Sequence, residues 1–205
     1  MVRTIDWLYN QSMGRPSVRQ QRRAQILQAF AQVLAEHGYA GATIAAVAQA
    51  AGVAPGLVHH HFAGKADLLE SLLADLIDRF RRRTRTIEAT TDPLTAYAAA
   101  ALQLDATADV VAARCWVGVL AEAVRDPALF AQVRRLVDSE IEVICRRSSH
   151  RFSSQDAGAV LAFVIGALVL GAFAPRKTAG FAAPALHKLI AALAAAASTV
   201  GMARM

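Results

Sequence analysis

Apolar residues recur at intervals of three and four along most of the chain, and no segment alternates apolar and polar positions between hairpin turns. The pattern predicts helices throughout. Between Val18 and His37, Ile26, Phe30, Val33 and Leu34 share one helical face, and Gly38 follows as a stop. Thr43 is suited to cap a short helix, Ile44 to Ala51, closed by Gly52. Pro55 opens a second short helix running to about Phe62, with proline at the tolerated first position. A long helix starts at Lys65 or Ala66 and runs to about Glu88, its apolar stripe made by Leu68, Leu69, Leu72, Leu73, Leu76, Ile77 and Phe80. Its basic end, from Arg79 to Arg85, reads as solvated. Asp92-Pro93 and Asp126-Pro127 restart the chain, which divides the next stretch into helices of about Leu94 to Ala106, Asp109 to Arg125 and Ala128 to Arg147. A polar linker, Ser148 to Gln155, precedes two nearly all-apolar helices, Asp156 to Phe173 and Phe181 to Ser198.

The last two helices carry more apolar surface than one small bundle can cover. Two from each of two subunits would form a four-helix interface, so a homodimer is expected through them. Ala157 to Pro175 has no charged residue, and its length approaches the roughly 20 residues of a bilayer span. It nevertheless holds Gly158, Gly166 and Gly171, has no Trp or Tyr at either edge, and is the only such segment. Burial is the preferred reading, and a membrane-associated helical interaction protein is the alternative.

Composition agrees with an all-α chain. Of 205 residues, 46 are alanine, hydrophobic types make up 55% and aromatics 6%. That is too apolar for an intrinsically disordered chain. Twenty-two basic residues against 16 acidic give a formal charge of +6, which favours a polyanionic partner. Cys115 and Cys145 form neither a disulfide framework nor a metal pair by spacing, as expected of reduced thiols in a cytoplasmic protein. Asp6, Asn10 and Gln11 interrupt any signal-peptide core. Met13-Gly14-Arg15-Pro16 reads like a natural start, so the upstream residues are read as a disordered leader, over residues 1–14, or as a misassigned start. No Gly-rich phosphate loop, Gly-x-Ser-x-Gly elbow or His-Glu-x-x-His pattern is present, so an enzyme is not expected, nor a cofactor.

The segment Thr43 to Phe62, TIAAVAQAAGVAPGLVHHHF, carries the functional signal. Ala48 is small where two helices must approach, Gly52 permits the positive φ of a sharp turn, and Val58 follows six residues later as an anchor, with Val47 and Val53 completing a miniature core. This is the spacing of a helix-turn-helix. Arg15, Arg19, Arg22 and Arg23 cluster before and at the start of the first helix, where they can meet phosphates. From Met13 to Lys65 five basic residues face one acidic residue, Glu36.

From Arg15 to about Leu73 the chain resembles the tetracycline-repressor (TetR) family of one-component transcriptional regulators. The residues that carry the likeness are the basic first helix, His37-Gly38-Tyr39, Thr43-Ile44, Ala48, Ala51-Gly52-Val53, Gly56, His61-Phe62, Gly64-Lys65 and Leu68-Leu69. The resemblance implies a DNA-binding domain over residues 15–64 and a helical effector-binding and dimerisation domain over 65–205. It implies a palindromic double-stranded operator and release by a small-molecule effector. It assigns Pro55, Gly56, Leu57, His59 and His60 to the major groove, and Arg19, Thr43, His61 and Lys65 to phosphates. Arg22 joins the phosphate set as part of the arginine cluster, and Arg15 is read as an arm toward the minor groove.

Where the family usually has tyrosine this chain has His59, and Ala54 stands where serine or threonine is frequent. The recognition helix lacks arginine, asparagine and glutamine, so base readout is expected from Leu57 on a thymine methyl, from His59 or His60 on guanine acceptors, and from duplex shape. Successive helical side chains turn by about 100 degrees, so His59, His60 and His61 do not converge on one metal ion. Imidazoles titrate near about pH 6.5, and operator binding is expected to be tighter near about pH 6 than about pH 8. Farther on, Trp116 to Glu122 followed by Asp126-Pro127 resembles the choline-responsive betaine-pathway repressors, the BetI type, a likeness that implies a quaternary ammonium effector. Tyr97, Trp116, Leu120 and Phe163 are the candidate ligand residues, weighed against ordinary core packing.

Overall fold

A computed structural model describes residues 17–85, 92–102 and 110–202. Among these residues the chain forms nine helices and no strand. They are α1 (Val18–Gly41), α2 (Ile44–Ala51), α3 (Pro55–His61), α4 (Lys65–Arg85), α5 (Pro93–Leu102), α6 (Val110–Ala123), α7 (Pro127–Arg147), α8 (Ser154–Phe173) and α9 (Pro175–Met202). The expected leader, residues 1–14, and Arg15 lie outside the described residues.

Local chemistry sets most boundaries. Ser17 and Gln20 form a reciprocal capping box at the start of α1. Gly38 breaks that helix with φ 68°, after which one more turn reaches Gly41. Thr43 Oγ1 accepts the Ala46 N–H at 3.1 Å to cap α2, and Gly52 ends it in the left-handed region with φ 65°. Asp126 accepts the Ala128 and Leu129 N–H groups and starts α7. Ser153 and Asp156 cap α8 in the same reciprocal manner as α1.

Two expectations change. The stretch from Ser148 is a built corner: Ser148 is buried, donates to the Cys145 carbonyl at 2.7 Å and accepts the Phe152 N–H at 3.1 Å, and Phe152 is buried with it. The final helix begins at Pro175, six residues before Phe181. Pro175 occupies the first position, where its missing N–H costs nothing, and Thr178 donates to the Ala174 carbonyl at 2.9 Å. Pro184 is accommodated inside the helix.

Two apolar cores result. The first joins α1–α3 to the first three turns of α4, to Cys115, Val119 and Ala123 of α6, and to Leu129 of α7. The second joins Phe80, α5, the later part of α7, α8 and α9. α6 is thus shared: it completes the core beneath the N-terminal helices although it lies far along the chain. Phe80, near the end of α4, belongs to the second core.

By length and apolar character alone, α8 and the stretch Pro175–Ala197 of α9 could cross a membrane. Within the fold, α8 buries Ala157, Val160, Leu161, Val164 and Ala167 against its neighbours. On its other side Ala159, Ala162, Gly166, Leu170 and Phe173 are exposed, and Phe181, Pro184, His187 and Ala191 of α9 are exposed as well.

Candidate nucleic-acid interface

α3 is held by one side and offered by the other. Val58 is fully buried in the first core, while Pro55, Gly56, His59 and His60 are exposed and Leu57 and His61 are half-buried. The anchor works because the left-handed turn at Gly52 lets α3 fold back on α2. No side chain lies within 4 Å of where a Cβ would stand on Gly56, so its glycine is not required by packing inside the chain.

The flanking groups divide into free and occupied. Arg19 and Arg22 are exposed on the first turns of α1, with Arg22 donating to Gln25 Oε1 at 2.8 Å. Thr43 is exposed, its hydroxyl oxygen already serving the α2 cap. Lys65 opens α4, donates to the Tyr39 carbonyl at 2.8 Å and sits 4.2 Å over the Tyr39 ring. An ammonium has three donors, so this contact aims Lys65 without exhausting it.

Arg23 corrects the expected arginine cluster. It turns inward, donating to the His61 carbonyl at 2.5 Å and to Ser71 Oγ at 2.8 Å, with its guanidinium 4.0 Å over the Phe62 ring. It ties the end of α3 to α4. Gln25 does similar work at the turn, donating to the Ala51 carbonyl at 2.7 Å. Neither role was visible in charge pattern, since each depends on where a distant carbonyl lies.

His60 and His61 meet edge to face at 5.2 Å. Partial desolvation, then His60 and the nearby Arg19 and Arg23, hold the His61 imidazole below its ordinary pKa. Arg19 is therefore electrostatically close to the end of α3. No group of three or more His, Cys, Asp or Glu among the described residues is arranged to hold a metal ion.

A second site lies within the helical portion. A partly open cavity of about 70 Å³ lies between α4, α6, α7 and α8, with Phe80, Trp116, Leu120 and Glu140 in its wall. Trp116 and Leu120 are two of the four expected ligand residues. The other two do not line it. Tyr97 is wholly buried, donates its hydroxyl to Glu140 Oε2 at 2.7 Å, meets Phe80 edge-on at 6.3 Å and lies under the Arg147 guanidinium. Burial, then the Glu140 carboxylate, pushes its phenol far above the usual range. Phe163 packs against the second core.

α6 connects the cavity to the N-terminal helices. One side carries Trp116 and Leu120 into the cavity wall. The other carries Cys115, whose thiol donates to the Ala31 carbonyl of α1 at 3.3 Å, and Gly118, where a Cβ would stand 3.5 Å from Leu34. At the far end of α6 the phenol of Tyr39 is raised by burial and by the charges of Glu122 and Asp126, so the α6–α7 corner faces the residue that holds Lys65.

Residues 26–72 match the family described as bacterial regulatory proteins, tetR family. The chain is 32% identical over 169 residues to the HTH-type transcriptional regulator BetI of Paraburkholderia phytofirmans, covering 77% of this chain and 85% of that one. It is 30% identical to BetI of Escherichia coli O45:K1 over 160 residues, covering 74% and 82%. Among solved structures, a transcriptional regulator from Rhodococcus sp. superposes with a TM-score of 0.76 at 25% identity, over 83% of this chain and 95% of that one. A TetR transcription regulator from Haloarcula marismortui shares the fold, with a TM-score of 0.73 at 19% identity and coverage of 84% and 97%.

Proposed function

Because this chain belongs to the TetR family of bacterial regulatory proteins, as a BetI-like transcriptional regulator, we propose that it is a homodimeric cytoplasmic repressor. It sits on a palindromic operator and leaves it when a small molecule enters the cavity beside α6. The observation that carries this reading is the double engagement of α6, with Trp116 and Leu120 on the cavity and Cys115, Gly118 and Val119 against α1 and its core.

The mechanism follows from size and from rigidity. A cavity of about 70 Å³ is roughly half of the 150 Å³ or so that admits benzene into an apolar core. A larger occupant must spread the wall, and close-packed helices transmit such a shift instead of absorbing it. Spreading α6 moves α1, and with it α3. Two α3 helices held by one dimer must meet successive major grooves about 34–36 Å apart, so a change in their separation spoils simultaneous docking. The ligand releases DNA to the extent that it prefers the spread form.

In the groove, Pro55, Gly56, Leu57, His59 and His60 face the base edges, with Arg19, Arg22, Thr43, His61 and Lys65 on the flanking phosphates. The dimer forms through α8 and α9, whose exposed small and apolar residues are otherwise left to water. The test is binding of the purified protein to DNA upstream of its own and neighbouring genes, by fluorescence anisotropy at fixed salt. The expected result is nanomolar-range binding to one inverted repeat, two protomers per site. Equal binding to all sequences would overturn the reading.

A further inference from the structure

The cavity beside α6 presents carbon throughout its wall. Nine of its contributors are Val, Leu or Ile, and Phe80 and Trp116 supply two rings. Glu140 is its one ionisable contributor, and its Oε2 is turned to a partner outside the cavity. It accepts the hydroxyl of Tyr97 at 2.7 Å, Tyr97 does not line the cavity, and Glu140 as a whole is 4% exposed.

A charged ligand entering such a space sheds its water and touches only carbon: the Glu140 carboxylate keeps its charge but lies behind the wall, bonded to Tyr97. Two ring faces, with that carboxylate held out of contact, return only part of the hydration lost by an ammonium, and a carboxylate finds no donor on the wall. An uncharged molecule gains from the same wall in proportion to the apolar area it removes from water. From this wall we infer that the effector is an uncharged, largely hydrocarbon small molecule, compact enough to lie between Trp116 and α8. This deepens the ligand-release reading and rests on it. It departs from the quaternary ammonium class implied by the likeness of Trp116 to Pro127 to the BetI type.

Choline and its carbon isostere, 3,3-dimethylbutan-1-ol, have the same shape and differ in charge, so they separate the two classes. Trp7 and Trp116 are the only tryptophans, and in a Trp7→Phe protein the emission reports the cavity wall. The neutral isostere is expected to change that emission saturably and to bind at least about tenfold tighter than choline. Along the straight-chain alcohols from butanol to hexanol, affinity is expected to rise about fourfold per methylene. Calorimetry on the unaltered chain reads the same ratio without any substitution. Val169→Phe, which fills the cavity from α8, is expected to abolish the response while the helical circular dichroism persists. Choline binding as tightly as the isostere, or no response to either compound, would overturn the assignment. Its failure is distinguishable from failure of the regulator reading, which is decided by operator binding of the ligand-free protein.

Discussion

Gly56 is the residue at which fold and function separate most cleanly. It is the second residue of α3, where glycine is less stable than alanine by at most the about 0.5–1 kcal/mol of a helix interior, and nothing within 4 Å requires the missing side chain. In the proposed docking its value is to let the α3 backbone approach the duplex. Gly56→Ala is expected to raise stability by up to about 0.5–1 kcal/mol in urea unfolding and to weaken operator binding at least about tenfold in anisotropy titrations. A stabilised protein with undiminished binding would remove Gly56 from the interface. His61 gives the pH dependence. Desolvation, His60, Arg19 and Arg23 lower its pKa in the free protein, and the phosphate beside it in the proposed complex would raise it. The complex therefore holds more protons than the free protein between those two values, so affinity falls as pH rises. Operator binding is expected to tighten from about pH 8 to pH 6 at fixed salt, and His61→Gln to remove part of that slope. Residues whose role is local were legible from sequence: Gly38, Thr43, Gly52 and Pro55 each follow from backbone conformation or a cap. Arg23 was not, because an arginine facing phosphate and one facing the His61 carbonyl look alike until α4 is in place.

α6 is the element on which the account of release depends. Its helical pattern was legible from the spacing after Asp109, but its double membership was not, since the partners of Cys115 and Gly118 lie on α1, more than eighty residues earlier. The same limit explains the ligand residues. Trp116 and Leu120 reach the cavity, whereas Tyr97 is taken by Glu140 and Phe163 by the second core, and nothing in an aromatic count distinguishes them. The start of α9 was missed for a local reason: Gly180 and Pro184 look like breakers, yet Pro175 and Thr178 nucleate the helix ahead of them. At Gly118 a methyl would meet Leu34 at ordinary contact distance, so Gly118→Ala is expected to keep operator binding within about twofold. Gly118→Leu exceeds that space, and overpacking of this kind costs about 1–3 kcal/mol. It is expected to push α6 off α1 and lower operator affinity without altering any DNA-facing side chain. Unchanged affinity in the leucine variant would dismiss α6 as the relay.

At the scale of the molecule, docking on a palindromic operator requires two copies. Leu170 and Phe173 are 51% and 75% exposed at the end of an otherwise apolar helix, a cost that the proposed partner subunit would remove. Leu170→Glu with Phe173→Glu is expected to convert a dimer to a monomer in light scattering. Operator binding should then fall at least about a hundredfold, because each half-site is held alone. The all-α fold was legible throughout, from helical spacing and the absence of strand alternation. The proposed pairing of two copies rests, in sequence and structure alike, on apolar surface in excess of what one chain covers. The most direct measurement of the central claim is methylation interference on the operator, which reads guanine N7 atoms in the major groove. The account predicts two clusters of interfering guanines related by a dyad and separated by a whole number of helical turns, about 34–36 Å each, the pattern collapsing in Gly56→Ala. Interference confined to the minor groove, or a single cluster without a dyad, would contradict it.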